Sequence, residues 1–161
     1  MKNREKEVLI ELLKNCKISD RQLAQKLNTS QSSITRIRKR LEKNIIRKYT
    51  ALPDLSVLKI DLASVTFARC TRPKKDVLEC LGTLSDKYSR IIFTAEGEGM
   101  GKSCMIVTIH KDFTDYTEFT REFRLTCNGF GENIESFLVP TENLLRTLNM
   151  ATAVEHLVRK G

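Results

Sequence analysis

KISDRQLAQKLNTSQSSITRIRKRLEK, residues 17–43, is the stretch whose reading decides the fold. Ser19 suits an N-cap, and Gln22 three positions later completes the capping-box pattern. Leu23, Ala24 and Leu27 then form a short apolar face. Asn28-Thr29 interrupts the periodicity, and Ser30 is placed to cap a second helix with Ile34, Ile37 and Leu41 at spacings of three and four. Two short helices with a tight break make a helix-turn-helix. Its second helix is dense in Arg and Lys.

Charge singles out the same region. Residues 1–50 hold fourteen Lys and Arg against five Asp and Glu, a net +9. Residues 51–161 hold fourteen against fifteen, a net −1, so the whole excess of +8 sits on the first third of the chain. A basic surplus that coincides with such a motif is the electrostatic footprint of a module that contacts phosphates.

Upstream, residues 3–15 read as a first helix, with Val8, Leu9, Leu12 and Leu13 packing on the motif. Downstream, residues 44–52 (NIIRKYTAL) read as a strand or short wing, where Arg47 and Lys48 are either phosphate contacts or a polar strand face. Pro53-Asp54 marks a linker over 51–57. Residues 58–140 then alternate: strand at 58–70, helix from Pro73 with Val77, Leu78, Leu81 and Leu84 inward, strand at 90–95, and strand at 103–110. A helix follows with Phe113, Tyr116, Phe119 and Phe123 as core, ended near Gly129 and Gly131, then a strand at 134–139 stopped by Pro140. The order βαββαβ is ferredoxin-like. Residues 141–161 form a last segment with a helix at 143–159. The fold class is therefore α+β.

Two helices cover only one face of a four-stranded sheet, yet strands such as SCMIVTIH carry apolar residues at both parities. Either the C-terminal helix or a second copy of the sheet must cover the other face. A two-fold dimer would present two recognition helices to half-sites about 34 Å apart.

These residues resemble the Lrp/AsnC (feast/famine) family of prokaryotic transcription regulators. The resemblance rests on Ile18-Ser19, Leu23-Ala24, Ser30 and Arg40-Leu41-Glu42 in register, and on the βαββαβ order that follows. It implies an N-terminal winged helix-turn-helix and a RAM-type regulatory domain. It implies a homodimer or higher homo-oligomer, and an amino-acid effector near the loop joining strands two and three. The chain departs from the family pattern in two places. Asn44 stands near the Gly usual after the recognition helix, where a left-handed residue is expected, and the loop reads GEGMGKS without the usual Asp.

On a helical wheel, Ser32, Thr35, Arg36, Lys39 and Lys43 point away from the Ile34–Ile37–Leu41 core, and Gln31 and Ser33 open the helix. Early residues reach base edges and later ones the backbone. Gln31, Ser32, Thr35 and Arg36 are therefore the candidate base readers, Arg36 for guanine and Gln31 for adenine. Lys39, Arg40 and Lys43, with Arg38 flanking, are candidate phosphate contacts. Gly97, Gly99, Gly101 and Ser103 either form a flexible hairpin connection or hold an effector carboxylate. Gly101-Lys102-Ser103 is not a P-loop, since Glu96 stands where the first Gly is needed.

Five widely spaced Cys without a C-x-x-C suggest neither zinc nor a disulfide framework. His110 and His156 lack catalytic partners at a telling spacing and read as surface or strand-end residues. No catalytic residue, metal or cofactor is expected. MKNREKE has no apolar signal core, and no run spans a bilayer, so a cytoplasmic location is expected. The reading is a sequence-specific regulator acting on double-stranded DNA. An architectural DNA binder without effector is the alternative, and a haem-precursor decarboxylase-like enzyme the remote one.

Overall fold

Along the chain the elements are α1 (Asn3–Lys14), α2 (Asp20–Lys26), α3 (Gln31–Asn44), β1 (Leu62–Arg69), α4 (Lys74–Lys87), β2 (Ile91–Gly99), β3 (Lys102–His110), α5 (Phe113–Thr126), β4 (Glu132–Pro140), a single 3-10 turn (Thr141–Asn143) and α6 (Met150–Arg159). They belong to a computed structural model that describes residues 1–69, 74–126, 132–144 and 150–159, without the side chains of 74–78, 80, 81, 126, 132 and 159. The expectations placed on Pro73, Val77, Leu78, Leu81, Gly129, Gly131, and Cys70, Cys80 and Cys127 lie outside those residues or side chains. The chain divides into two compact units, Met1–Leu52 with Arg146–Gly161, and Pro53–Leu145.

In the first unit the capping signals act as the sequence implies. Ser19 Oγ accepts from Gln22 N at 3.2 Å, and Gln22 Oε1 accepts from Ser19 N at 2.9 Å. Asn28 takes φ 47°, the left-handed turn conformation that Asn tolerates, and Ser30 Oγ caps α3 by accepting from Ser33 N at 3.3 Å. The core joins Val8, Leu9, Leu12, Leu23, Ala24, Ile34, Ile37 and Leu41, with Ile18, Leu27, Ile46 and Val154 against it.

Several details differ from the sequence reading. Leu13 is 36% exposed, while Ile10, not assigned to the buried face, is 3% exposed. Asn44 does not adopt the left-handed form. It is the last residue of α3 and its amide donates to the Arg40 carbonyl at 3.0 Å, while Ile45 N and Ile46 N both donate to Leu41 O at 2.8 Å and end the helix. Of residues 44–52, expected as a strand or wing, Asn44 ends α3 and residues 46–52 take no regular secondary structure. The C-terminal helix joins the helical unit, where it packs on α1. With this segment included, the first unit holds seventeen Lys and Arg against six acids, a net +11, and residues 53–145 are net −3.

The second unit is a four-stranded antiparallel sheet in the order β2-β3-β1-β4. This is the ferredoxin-like arrangement. Even-numbered residues of β1 and β3 face the helices. Ala68, Cys104 and Ile106 pack with Leu84 and Tyr88 of the α4 side and Phe119 and Phe123 of α5. Phe113 is 61% exposed, so the aromatic stripe of α5 supplies two buried rings, not four.

Beside that core runs a polar chain. Ser64 Oγ and Thr108 Oγ1 lie 2.6 Å apart, and Thr108 Oγ1 lies 2.7 Å from His110 Nε2. His110, read from sequence as a surface or strand-end residue, ends β3 but is 1% exposed. Its ring meets Tyr116 and Phe119 edgewise or tilted at 5.3 and 5.2 Å. Burial pushes the imidazole below its usual range, against the opposing pull of the Asp115 carboxylate. Asp115 itself is held low, first by the side-chain hydrogen bond from Arg90.

Leu23 has no exposed surface, so Leu23→Ala removes core volume and should cost the first unit about 2–5 kcal/mol in urea unfolding. In the second unit, the lowered His110 pKa means that the unfolded chain takes up its proton first as pH falls. Stability of that unit therefore declines as pH drops below about 6.5, and is fully present above it. Urea midpoints at a series of pH values between neutrality and mild acid should show that decline, and His110→Gln should flatten it.

Candidate nucleic-acid interface

α3 owes its position to three contacts that the apolar spacing did not reveal. Asp20, first residue of α2, accepts from Thr35 Oγ1 at 2.6 Å, and the same carboxylate lies 2.6 Å from Arg38 Nε. Arg38 Nη2 also donates to the Ile18 carbonyl at 2.6 Å. On another side of α3, Arg40 forms an ion pair with Glu5 of α1, a residue only 9% exposed. After the helix, Tyr49 folds back so that its hydroxyl donates to Glu42 Oε1 at 3.0 Å. Burial first, then this carboxylate, raises the Tyr49 pKa.

These bonds sort the nine candidate residues of α3. Gln31, Ser32, Arg36 and Lys39 stand exposed and, with half-buried Thr35, line one shallow concavity. Lys43 is exposed one turn beyond. Among the described residues, Arg36, Lys39 and Lys43 make no ion pair, so their cationic heads are available to a polyanion. Ser33 is engaged in the cap, its hydroxyl accepting from Ser30 Oγ at 2.8 Å. Thr35 and Arg38 are turned toward α2, and Arg40 toward α1. The wheel placed Thr35 by angle alone, and Arg38 and Arg40 were assigned from their position along the helix. It could not see that Asp20 and Glu5 lie where their side chains reach. The sequence marks neither partner, since Glu5 and Asp20 are two of the five acids in residues 1–50.

The second candidate site is also reshaped. β2 continues through Gly99 and β3 begins at Lys102, so the connection is the two-residue turn Met100-Gly101. Both residues have positive φ, 52° and 69°, the pattern of a type I′ hairpin turn, which Gly101 accepts without strain. The glycines are thus strand and tight-turn residues, not a long flexible loop. Gly97, Gly99, Gly101 and Ser103 do border a polar concavity together with Arg69 and Lys102. Lys102 Nζ is already committed, donating to Asn133 O at 2.5 Å and to Glu135 Oε1 at 2.8 Å. Asn133 sits with φ 60° in a bulge of β4, where two residues oppose Ala68.

Comparison with known proteins agrees with both halves. Residues 1–44 match the model for winged helix-turn-helix DNA-binding domains. No curated protein matches the chain. Among solved structures, PH0061 aligns with a TM-score of 0.80 at 24% identity over 93% of this chain and 97% of its own. The transcriptional regulator NMB0573 of Neisseria meningitidis, crystallised as an L-Met complex, aligns at 0.79 and 18% identity over 93% and 96%. E. coli AsnC aligns at 0.75 and 16% over 92% and 98%. The class is thus a DNA-binding helix-turn-helix joined to a ferredoxin-like unit. The particular fold is that of the AsnC- and Lrp-type transcription regulators.

The sorting of charges on α3 makes a prediction that is specific to this geometry. Removing one phosphate contact lowers the slope of log affinity against log salt by about 0.9. Lys39→Gln should lower it by about that amount. Arg38→Gln should leave the slope unchanged while reducing thermal stability, because its guanidinium is spent on Asp20 and Ile18.

Proposed function

We propose that the chain is a sequence-specific DNA-binding transcription regulator that acts as a dimer. The observation that carries this is the exposed face of α3, where Gln31, Ser32, Arg36 and Lys39 are presented side by side on a +11 unit. A helix of this kind enters the major groove with its N-terminal residues on base edges. Arg36 has the donor fork for guanine O6 and N7, and Gln31 the amide for adenine.

The dimer is supported by the second unit's open face. Odd-numbered residues of β1 and β3 and their partners in β2 and β4 point away from the helices. Among them Phe93 is 51% and Phe137 is 68% exposed, in register with Val107 and Val65 respectively. Large aromatic side chains left in water on a half-buried apolar face favour a second such face as their cover. Phe137→Glu should therefore shift sedimentation toward the monomer and, by uncoupling the second half-site, weaken operator binding.

A small effector, an amino acid among the candidates, is supported by the concavity beside the Met100-Gly101 turn, and by L-Met bound to the structurally similar NMB0573. No helix among the described residues is long and apolar enough to cross a membrane. An enzymatic reading gains nothing from the histidines, since His110 is sealed among aromatic rings.

The deciding experiment is selection of binding sites from random duplexes with the purified full chain, repeated with each amino acid. A regulator enriches a paired motif, and Arg36→Ala abolishes the enrichment while residual binding to random DNA persists. An unchanged motif with Arg36→Ala sinks the assignment of α3. No motif at all favours an architectural binder.

A further inference from the structure

α1 is buried on two sides. Val8, Leu9 and Leu12 belong to the core shared with α2 and α3. Lys6, Ile10 and Lys14 recur every four residues and so share a different face. That row runs along α6. Lys6 Nζ donates to the Val158 carbonyl at 2.9 Å, near the end of α6 where carbonyls lack helical partners. Lys14 Nζ lies 3.0 Å from Glu155 Oε2. Ile10, between the two lysines, is 3% exposed although it is not part of the α1–α3 core, and Val154 of α6 packs against that core. Among the described side chains of α6, Ala151, Val154, Glu155 and Val158 are the buried or half-buried positions, the spacing of one helical face.

α1 in turn holds the recognition helix. Glu5, clamped by the Lys2 backbone N–H at 2.9 Å, carries the ion pair to Arg40. A continuous set of contacts therefore links α6 to α1 and α1 to α3. About fifty residues of three short helices make a marginal core by themselves, so a fourth helix matters to how firmly α1 is seated.

We propose that α6 is a positioning element for DNA reading: docked on α1, it fixes the angle at which α3 presents Gln31 and Arg36. This rests on the reading of α3 as the DNA-contacting helix. None of the α6 side chains described touches DNA in this scheme. They act through Ile10, Lys6 and Glu5. Because α6 follows β4 in the chain, the reading helix depends on a segment that lies beyond the whole second unit in sequence.

The test uses the full chain with Val154→Ala, and Val154→Asp as the stronger variant, against a selected operator and a random duplex of equal length. The expected result with Val154→Ala is a loss of operator affinity of about tenfold. Affinity for random DNA should change by less than about twofold, since the phosphate-contacting charges remain. Amide exchange in α1 should rise. Equal losses on both duplexes, accompanied by melting of the first unit, would make α6 a stability staple only and overturn the proposal. Unchanged affinity for both would overturn it as well. If Val154→Asp unfolds the unit outright, Val154→Ala decides. Arg36→Ala separates the two readings. If it abolishes discrimination while Val154→Ala leaves it intact, only the role of α6 falls. If it leaves discrimination intact, the assignment of α3 falls with it.

Discussion

The carboxylate of Asp20 is the constraint on which the exposed face of α3 depends. It takes the Thr35 hydroxyl and the Arg38 guanidinium at once, while Arg38 also reaches the Ile18 carbonyl. Two residues of α3, one turn apart, are thereby fixed to the start of α2. The group is partly buried, where a charge-assisted contact outweighs its solvent-exposed counterpart. Rigid attachment on one side of the helix leaves the opposite side free to carry unpaired Arg36 and Lys39. Two acids of the first unit serve this arrangement. Glu5 does for α1 and Arg40 what Asp20 does for α2 and Arg38.

A second consequence concerns charge. A basic helix invites the assumption that every cation meets a phosphate. Here Arg38 and Arg40 are engaged within the protein, so counting Lys and Arg overstates the cations left unpaired. Net charge still matters at long range, because the field of a +11 unit attracts a polyanion whatever its cations do locally. At short range only the few side chains that remain unpaired are available to a partner.

The second unit answers a different physical demand. Its helix-covered face tolerates a buried Ser64–Thr108–His110 chain because each hydroxyl finds a partner. Its other face leaves Phe93 and Phe137 in water. Among the described residues the sheet thus has one face packed against helices and one left partly exposed.

Much of this was legible in the sequence, because it is encoded locally. Capping residues act within three positions, so Ser19, Gln22 and Ser30 located the ends of α2 and α3. Apolar periodicity acts within a turn, so Ile34, Ile37 and Leu41 identified the buried side, and alternating strands gave the order of the ferredoxin-like unit. The tertiary structure alone decided what depends on residues far apart in sequence. Asp20 engages Arg38, and Glu5 engages Arg40. Lys6 and Lys14 of α1 meet a helix that begins at Met150. Strand pairing between Gly99 and Lys102 turns an apparent glycine loop into a two-residue turn. Local pattern specifies which face of a helix is apolar. Only the packed chain specifies which charged side chains find each other, because a salt bridge leaves no periodic mark in the sequence.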